Sequence, residues 1–159
     1  MINKNTIIEI RDLVAKYGDK TVLYNISTEI YSSEICVILG TSGCGKTTIA
    51  RIAGLLEKPD HGIVFFKGKN IHHKKGKEVL SFRKQVQFIF QDPFSSLNPR
   101  KTVQSVISPG LRNFHLVKEK KQLIHMVTEI LLKVGLPPDY LHHYPHEFSM
   151  GEQPRIAIA

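Results

Sequence analysis

Ile35-Cys36-Val37-Ile38-Leu39 runs directly into Gly40-Thr41-Ser42-Gly43-Cys44-Gly45-Lys46-Thr47-Thr48, and the reading of these residues decides the fold. An unbroken apolar run fits a strand covered on both faces, as in a parallel sheet. The residues from Gly40 to Thr47 match G-x-x-x-x-G-K-[ST], a pattern in which each fixed residue has a physical task. Glycines admit backbone angles closed to other residues, so successive N–H groups can turn inward on phosphate oxygens. Lys46 sets a point charge against the terminal phosphates, and the Thr47 hydroxyl is suited to ligate Mg²⁺. A helix starting here aims the positive end of its dipole at the same anion. The stretch therefore predicts a strand, a phosphate-binding loop and a helix in succession.

Working outward, Ile49, Ile52, Ala53 and Leu56 recur at helical spacing. Lys58-Pro59 and the turn Asp60-His61-Gly62 are expected to end that helix. Upstream, 6–14 and 21–31 are rich in β-branched and aromatic residues and predict two strands joined through Gly18-Asp19. Downstream, strands are expected at 63–66 and 86–90, with a turn at 67–70 and a short helix at 78–84. From Asp92 the pattern turns helical. Its clearest helix spans about 118–134, with Leu123, Val127, Ile130, Leu131 and Val134 on one face. Gly135 is a natural residue to follow its C-terminus, and Pro137-Pro138 prevents continuation. No internal repeat or low-complexity tract is present.

A chain of 159 residues, 42% hydrophobic and 23% charged, is long enough for one soluble domain with a real core. No apolar run is long enough to cross a membrane as a helix, and Met1 to Glu9 is too polar for a signal peptide. A cytosolic location is expected. The cysteines, Cys36 and Cys44, read as reduced thiols, one in a buried strand and one in the phosphate loop. The net charge of +8 suits nucleic acid, an anionic membrane surface or an anionic ligand. Much of it lies in Lys67, Lys69, Lys74, Lys75 and Lys77, where no aromatic residues interleave for base stacking. That patch reads as a solvated loop. His142, His143 and His146 lack a cysteine or carboxylate at convincing ligand spacing, so zinc is not expected there, and His72-His73 reads as surface loop.

Three further segments carry a resemblance. Phe90-Gln91-Asp92-Pro93-Phe94-Ser95-Ser96-Leu97-Asn98-Pro99-Arg100 resembles the Q-loop of ABC ATPases, most of all the branch serving oligopeptide, dipeptide and nickel importers. Tyr144-Pro145-His146-Glu147-Phe148-Ser149, with Gly151 beyond, resembles the approach to the ABC signature sequence. Tyr17 stands where the family has an aromatic that stacks on adenine. The resemblance runs from about residue 7 to 159. It implies an α/β fold: a P-loop core with an antiparallel β subdomain and part of a parallel sheet, followed by a helical subdomain. The implied division is a nucleotide-binding core over 1–91, a helical subdomain over 92–147 and the start of the signature helix over 148–159.

The resemblance further implies ATP and Mg²⁺ as ligands. Gly40 to Thr48 would cradle the phosphates, with Lys46 and Thr47 in the roles given above. Gln91, at the end of a strand, would reach Mg²⁺ or the attacking water through its amide. Ser149 and Gly151 would contact ATP held by an opposite subunit, in a homo- or heterodimer with another ABC ATPase subunit. The implied function is the energy-coupling subunit of a peptide or nickel importer, peripheral on the inner face of the cell membrane. Permease subunits would be its partners, and nucleic acid is not expected.

Several residues depart from the family pattern. Met150 and Glu152 replace a glycine and a glutamine of the signature, adding bulk and a negative charge where a triphosphate should approach. Pro154 falls in the first turns of the following helix, where proline is tolerated. Ser33 stands in place of a turn glycine. The sequence reaches Ala159 before the Walker B aspartate and catalytic glutamate that the resemblance would place further on. The fold is therefore expected to be incomplete at its C-terminus, to bind ATP without splitting it efficiently, and to be poorly stable alone. Two other readings stand beside this one: a truncated gene product without function, and a soluble ABC ATPase acting on nucleic acid.

Overall fold

The computed structural model describes residues 5–92 and 97–159. Pro93, Phe94, Ser95 and Ser96 of the Q-loop-like segment, and residues 1–4, lie outside the described residues. The chain divides into two compact units, Met1–Gln87 and Phe88–Ala159.

The first unit is built on an antiparallel sheet of four strands: β1 (Thr6–Tyr17), β2 (Lys20–Tyr31), β3 (His61–Phe66) and β4 (Lys69–Asn70), in the order β2-β1-β3-β4. Tyr17 pairs with Lys20 across Gly18-Asp19, the turn expected from sequence. The alternation in β1 is only partial because the strand bulges. Asp12 has φ +50 and the register slips between Ile10 and Leu13. The extra residue brings Ile10 and Leu13, three positions apart, onto the same buried face. Ser27 on β2 caps the bulge, its hydroxyl accepting the Asp12 N–H at 2.9 Å.

On this sheet pack α1 (Lys46–Ala53) and α2 (Lys77–Gln85). Ile10, Leu13, Leu23, Ile52, Val64, Ile71 and Phe82 form the core, and Phe66 meets Phe82 edge to face at 5.2 Å. The first helix is shorter than its apolar spacing suggested. It ends at Ala53, with Gly54 as its cap, and Leu56 lies beyond it, 42% exposed.

The segments 35–39 and 86–90, expected as buried strands, are not strands. Ile35 is 94% exposed, Leu39 86% and Ile89 62%, and Cys36 is exposed with them. The reason is cooperative. A parallel strand draws its stability from neighbours on both edges and cover on both faces, and no described strand pairs with either segment. The antiparallel half of the expected core is formed, and the parallel part is not.

The second unit is helical. It comprises α3 (Val103–Asn113), α4 (Lys120–Lys133), two 3₁₀ turns (Pro138–His142 and Pro145–Glu147) and α5 (Gln153–Ile158). Leu123, Val127 and Leu131 of α4 are buried, as their spacing required, against Val103, Ile107 and Leu111 of α3 and against Leu141, Phe148 and Ile156. The end of α4 is a Schellman motif: Gly135, at φ +73, donates to Leu132 O at 3.0 Å and Leu136 donates to Leu131 O at 2.9 Å.

Candidate functional site

The phosphate loop leads into α1, and Gly45 caps that helix with φ +98. A side chain at 45 would be strained by this angle, and its Cβ would lie 2.5 Å from Leu23 Cδ2. The loop is thus pinned to β2 through a buried leucine, and only glycine allows the approach. At Gly40 a Cβ would lie 2.5 Å from Cys44 Sγ, so the cysteine side chain folds into space that glycine leaves open. Neither Leu23 nor this use of Cys44 carries any signal in the sequence pattern.

The start of α1 is prepared for an anion. No side chain caps it, its first turn holds no acidic residue, and its backbone ladder begins with Ile49 N–H donating to Gly45 O at 3.0 Å. The N–H groups of Lys46, Thr47 and Thr48 are therefore the orphan donors that every helix start must satisfy from outside. Lys46 Nζ lies over the loop, donating to Gly40 O at 2.9 Å and Thr41 O at 2.6 Å. The Thr47 residue is exposed, as a hydroxyl ligand for a cation must be, whereas Thr48 is buried. Convergent N–H donors, a lysine held at the loop and an open hydroxyl fit a metal-chelated polyphosphate.

Tyr17, at the end of β1, is joined to the same helix. Its phenol donates to Glu57 Oε2 at 2.8 Å and lies 3.5 Å from Thr48 Oγ1. Arg51 Nη1 donates to Glu57 Oε1 at 2.9 Å. Tyr17 and the phosphate loop thus belong to one unit, with the tyrosine 52% exposed.

Gln91 and the signature-like residues lie in the second unit. Gln91 is exposed in a bend rather than at the end of a strand, because 86–90 does not pair. Ser149 and Gly151 are exposed in the turn before α5, and Met150 is 89% exposed. Glu152 folds back on this turn: its Oε2 accepts the Ser149 N–H at 2.9 Å and the Ser149 hydroxyl at 2.7 Å, and its Oε1 accepts the Tyr140 hydroxyl at 2.9 Å. The bonds from Ser149, then that from Tyr140, hold the Glu152 carboxyl below its ordinary range. Pro154 occupies the first turn of α5, where its missing N–H costs little. His143 stacks on Tyr140 at 5.0 Å and His146 on Tyr144 at 5.7 Å.

A sequence profile described as ABC transporter matches residues 23–159. The chain belongs to the ABC transporter family. Among curated ABC relatives, the oligopeptide transport ATP-binding protein OppF of Bacillus subtilis (strain 168) is 41% identical over 158 residues, covering 96% of this chain and 52% of that protein. The dipeptide transport ATP-binding protein DppF of Lactococcus lactis subsp. cremoris is 39% identical, covering 100% of this chain and 53% of that protein. The chain spans about half the length of the curated relatives it matches. The solved dimeric structure of a bacterial ABC transporter cassette superposes with a TM-score of 0.82 at 26% identity, over 96% of this chain and 67% of that one. The ABC resemblance read from Gln91 and its neighbours is borne out, and the two curated relatives are peptide-transport ATP-binding proteins.

Proposed function

We propose that this chain binds Mg-ATP through Gly40 to Thr48 and serves as an energy-coupling ATP-binding subunit of a peptide importer. The observation that supports this best is the uncapped start of α1 beneath Lys46 and the glycine-pinned loop. In this reading Tyr17 stacks adenine, Thr47 ligates Mg²⁺, and Gln91 responds to the terminal phosphate. Ser149 and Gly151 act on ATP of a second ABC ATPase subunit. Permease subunits at the inner face of the membrane are the partners, and nickel is the alternative cargo to peptides in this reading. No helix among the described residues is long and apolar enough to cross a membrane, which suits a peripheral subunit. In this reading residues 1–159 bind the nucleotide, and activation of water is assigned to none of them.

Titration of the purified chain with a fluorescent ATP analogue tests the proposal. Lys46→Ala removes a charge-assisted contact and is expected to weaken binding by about 10- to 150-fold. Equal affinity in the wild type and the variant would overturn it. Retention on DNA that is lost with added salt would instead favour the nucleic-acid reading of the +8 charge.

A further inference from the structure

Tyr17 ends β1 at the tip of a hairpin, where a side chain that is about half exposed has little packing to fix it. Its hydroxyl nevertheless has a defined partner in Glu57, at 2.8 Å. Because the phenol proton is committed to Glu57, the 3.5 Å contact with Thr48 leaves the threonine hydroxyl as the donor. Glu57 is itself held: its other carboxylate oxygen accepts Arg51 Nη1 at 2.9 Å. Arg51 and Thr48 both lie on α1, the helix that starts at the phosphate loop. The tyrosine is thus tied to the phosphate-binding helix twice, once directly and once through a carboxylate.

We infer that Glu57 is a positioning residue for nucleotide binding, which clamps Tyr17 so that the aromatic platform and the phosphate loop are presented together. The inference rests on the proposed stacking of adenine on Tyr17 and adds the group that holds the ring. A ring free to rotate would be ordered only when the base arrives, and that ordering would subtract from the binding energy. Holding it in advance removes the cost for a nucleotide but changes nothing for a ligand that lacks a base. Both carboxylate oxygens are engaged, so Glu57→Gln can keep its oxygen on Arg51 and donate its amide to the phenol oxygen, whereas Glu57→Ala keeps neither bond.

The test measures the affinities of the full chain for ATP and for inorganic tripolyphosphate, each with Mg²⁺, in Glu57→Ala, Glu57→Gln, Tyr17→Phe, Tyr17→Ala and the double variant Tyr17→Phe/Glu57→Ala. Glu57→Ala is expected to weaken ATP about three- to tenfold, the size of one hydrogen bond, and to leave tripolyphosphate unchanged. Glu57→Gln should restore most of the loss. Tyr17→Phe should reproduce it, and adding Glu57→Ala to Tyr17→Phe should do nothing more. Equal weakening of ATP and tripolyphosphate by Glu57→Ala would overturn the inference, as a general loosening of the loop. So would a Glu57→Ala effect that persists undiminished in the Tyr17→Phe background. If Tyr17→Ala weakens ATP while Glu57→Ala does not, the clamp falls and the stacking stands. If Tyr17→Ala leaves ATP unchanged, both fall, whereas loss of tripolyphosphate binding in Lys46→Ala would still support the phosphate loop.

Discussion

At the start of α1, the N–H groups of Lys46, Thr47 and Thr48 meet no side-chain cap and no acidic residue. At the turn before α5, the N–H and the hydroxyl of Ser149 both donate to Glu152. Both places are assigned to phosphate by family resemblance, yet one offers its donors and the other has committed them to a carboxylate of its own chain. The difference lies in local chemistry. A lysine and threonines populate the first turn of α1, whereas Glu152 sits three residues after Ser149, the spacing at which a glutamate side chain reaches back to the start of a turn. An anion at the first site meets dipole and charge of the favourable sign. At the second it must displace a bonded carboxylate and be repelled by it.

The contrast breaks most readily at Gly45. Alanine there must adopt φ +98 and accommodate Leu23 Cδ2 at 2.5 Å from its Cβ. The expected loss is about 2–4 kcal/mol of unfolding free energy, read by urea denaturation, with a parallel loss of nucleotide binding. A variant as stable as the wild type would mean that the loop is not pinned to β2.

A smaller effect of the opposite sign is expected just upstream. Ser33 has φ +61, a conformation that favours glycine. Ser33→Gly should therefore raise stability by about 0.5–1 kcal/mol, seen as a higher denaturation midpoint at unchanged slope. A lower midpoint would show that the serine makes contacts worth more than its backbone strain.

The smallest effect is local and sharpens the second turn. The folded protein holds the Glu152 carboxyl below its ordinary value of 4.5, so it takes up the proton less readily than the unfolded chain. The Glu152 contact accordingly stabilises in full above the ordinary carboxylate range and is lost as pH falls through the lowered value. The Ser149 amide resonance should stay constant through the ordinary range and move only below it. Movement centred at or above 4.5 would contradict the contact.

Much of this was legible in the residues, and the failures share a cause. The hairpin turn, the α4 face and the phosphate loop are set by near neighbours in sequence, through turn chemistry, apolar spacing and glycine placement. The strands expected at 35–39 and 86–90 were read from apolar content alone, and burial of such a run depends on neighbours that a local pattern does not contain. At the site, Lys46 and Tyr17 could be named from motif and position. Glu57 could not, since nothing in a polar residue after a helix marks the tyrosine it will hold. Glu152 was read as a charge facing phosphate, but its geometry makes it first the partner of Ser149.

The most direct test of the central contrast is to follow backbone amide resonances during titration with Mg-ATP, at concentrations where the chain is monomeric. Large shifts are expected at Gly43 to Thr48 and none at Ser149 to Glu152, whose donors remain on their own carboxylate. Shifts at Ser149 and Gly151 equal to those of the phosphate loop, or an unmoved phosphate loop, would contradict it.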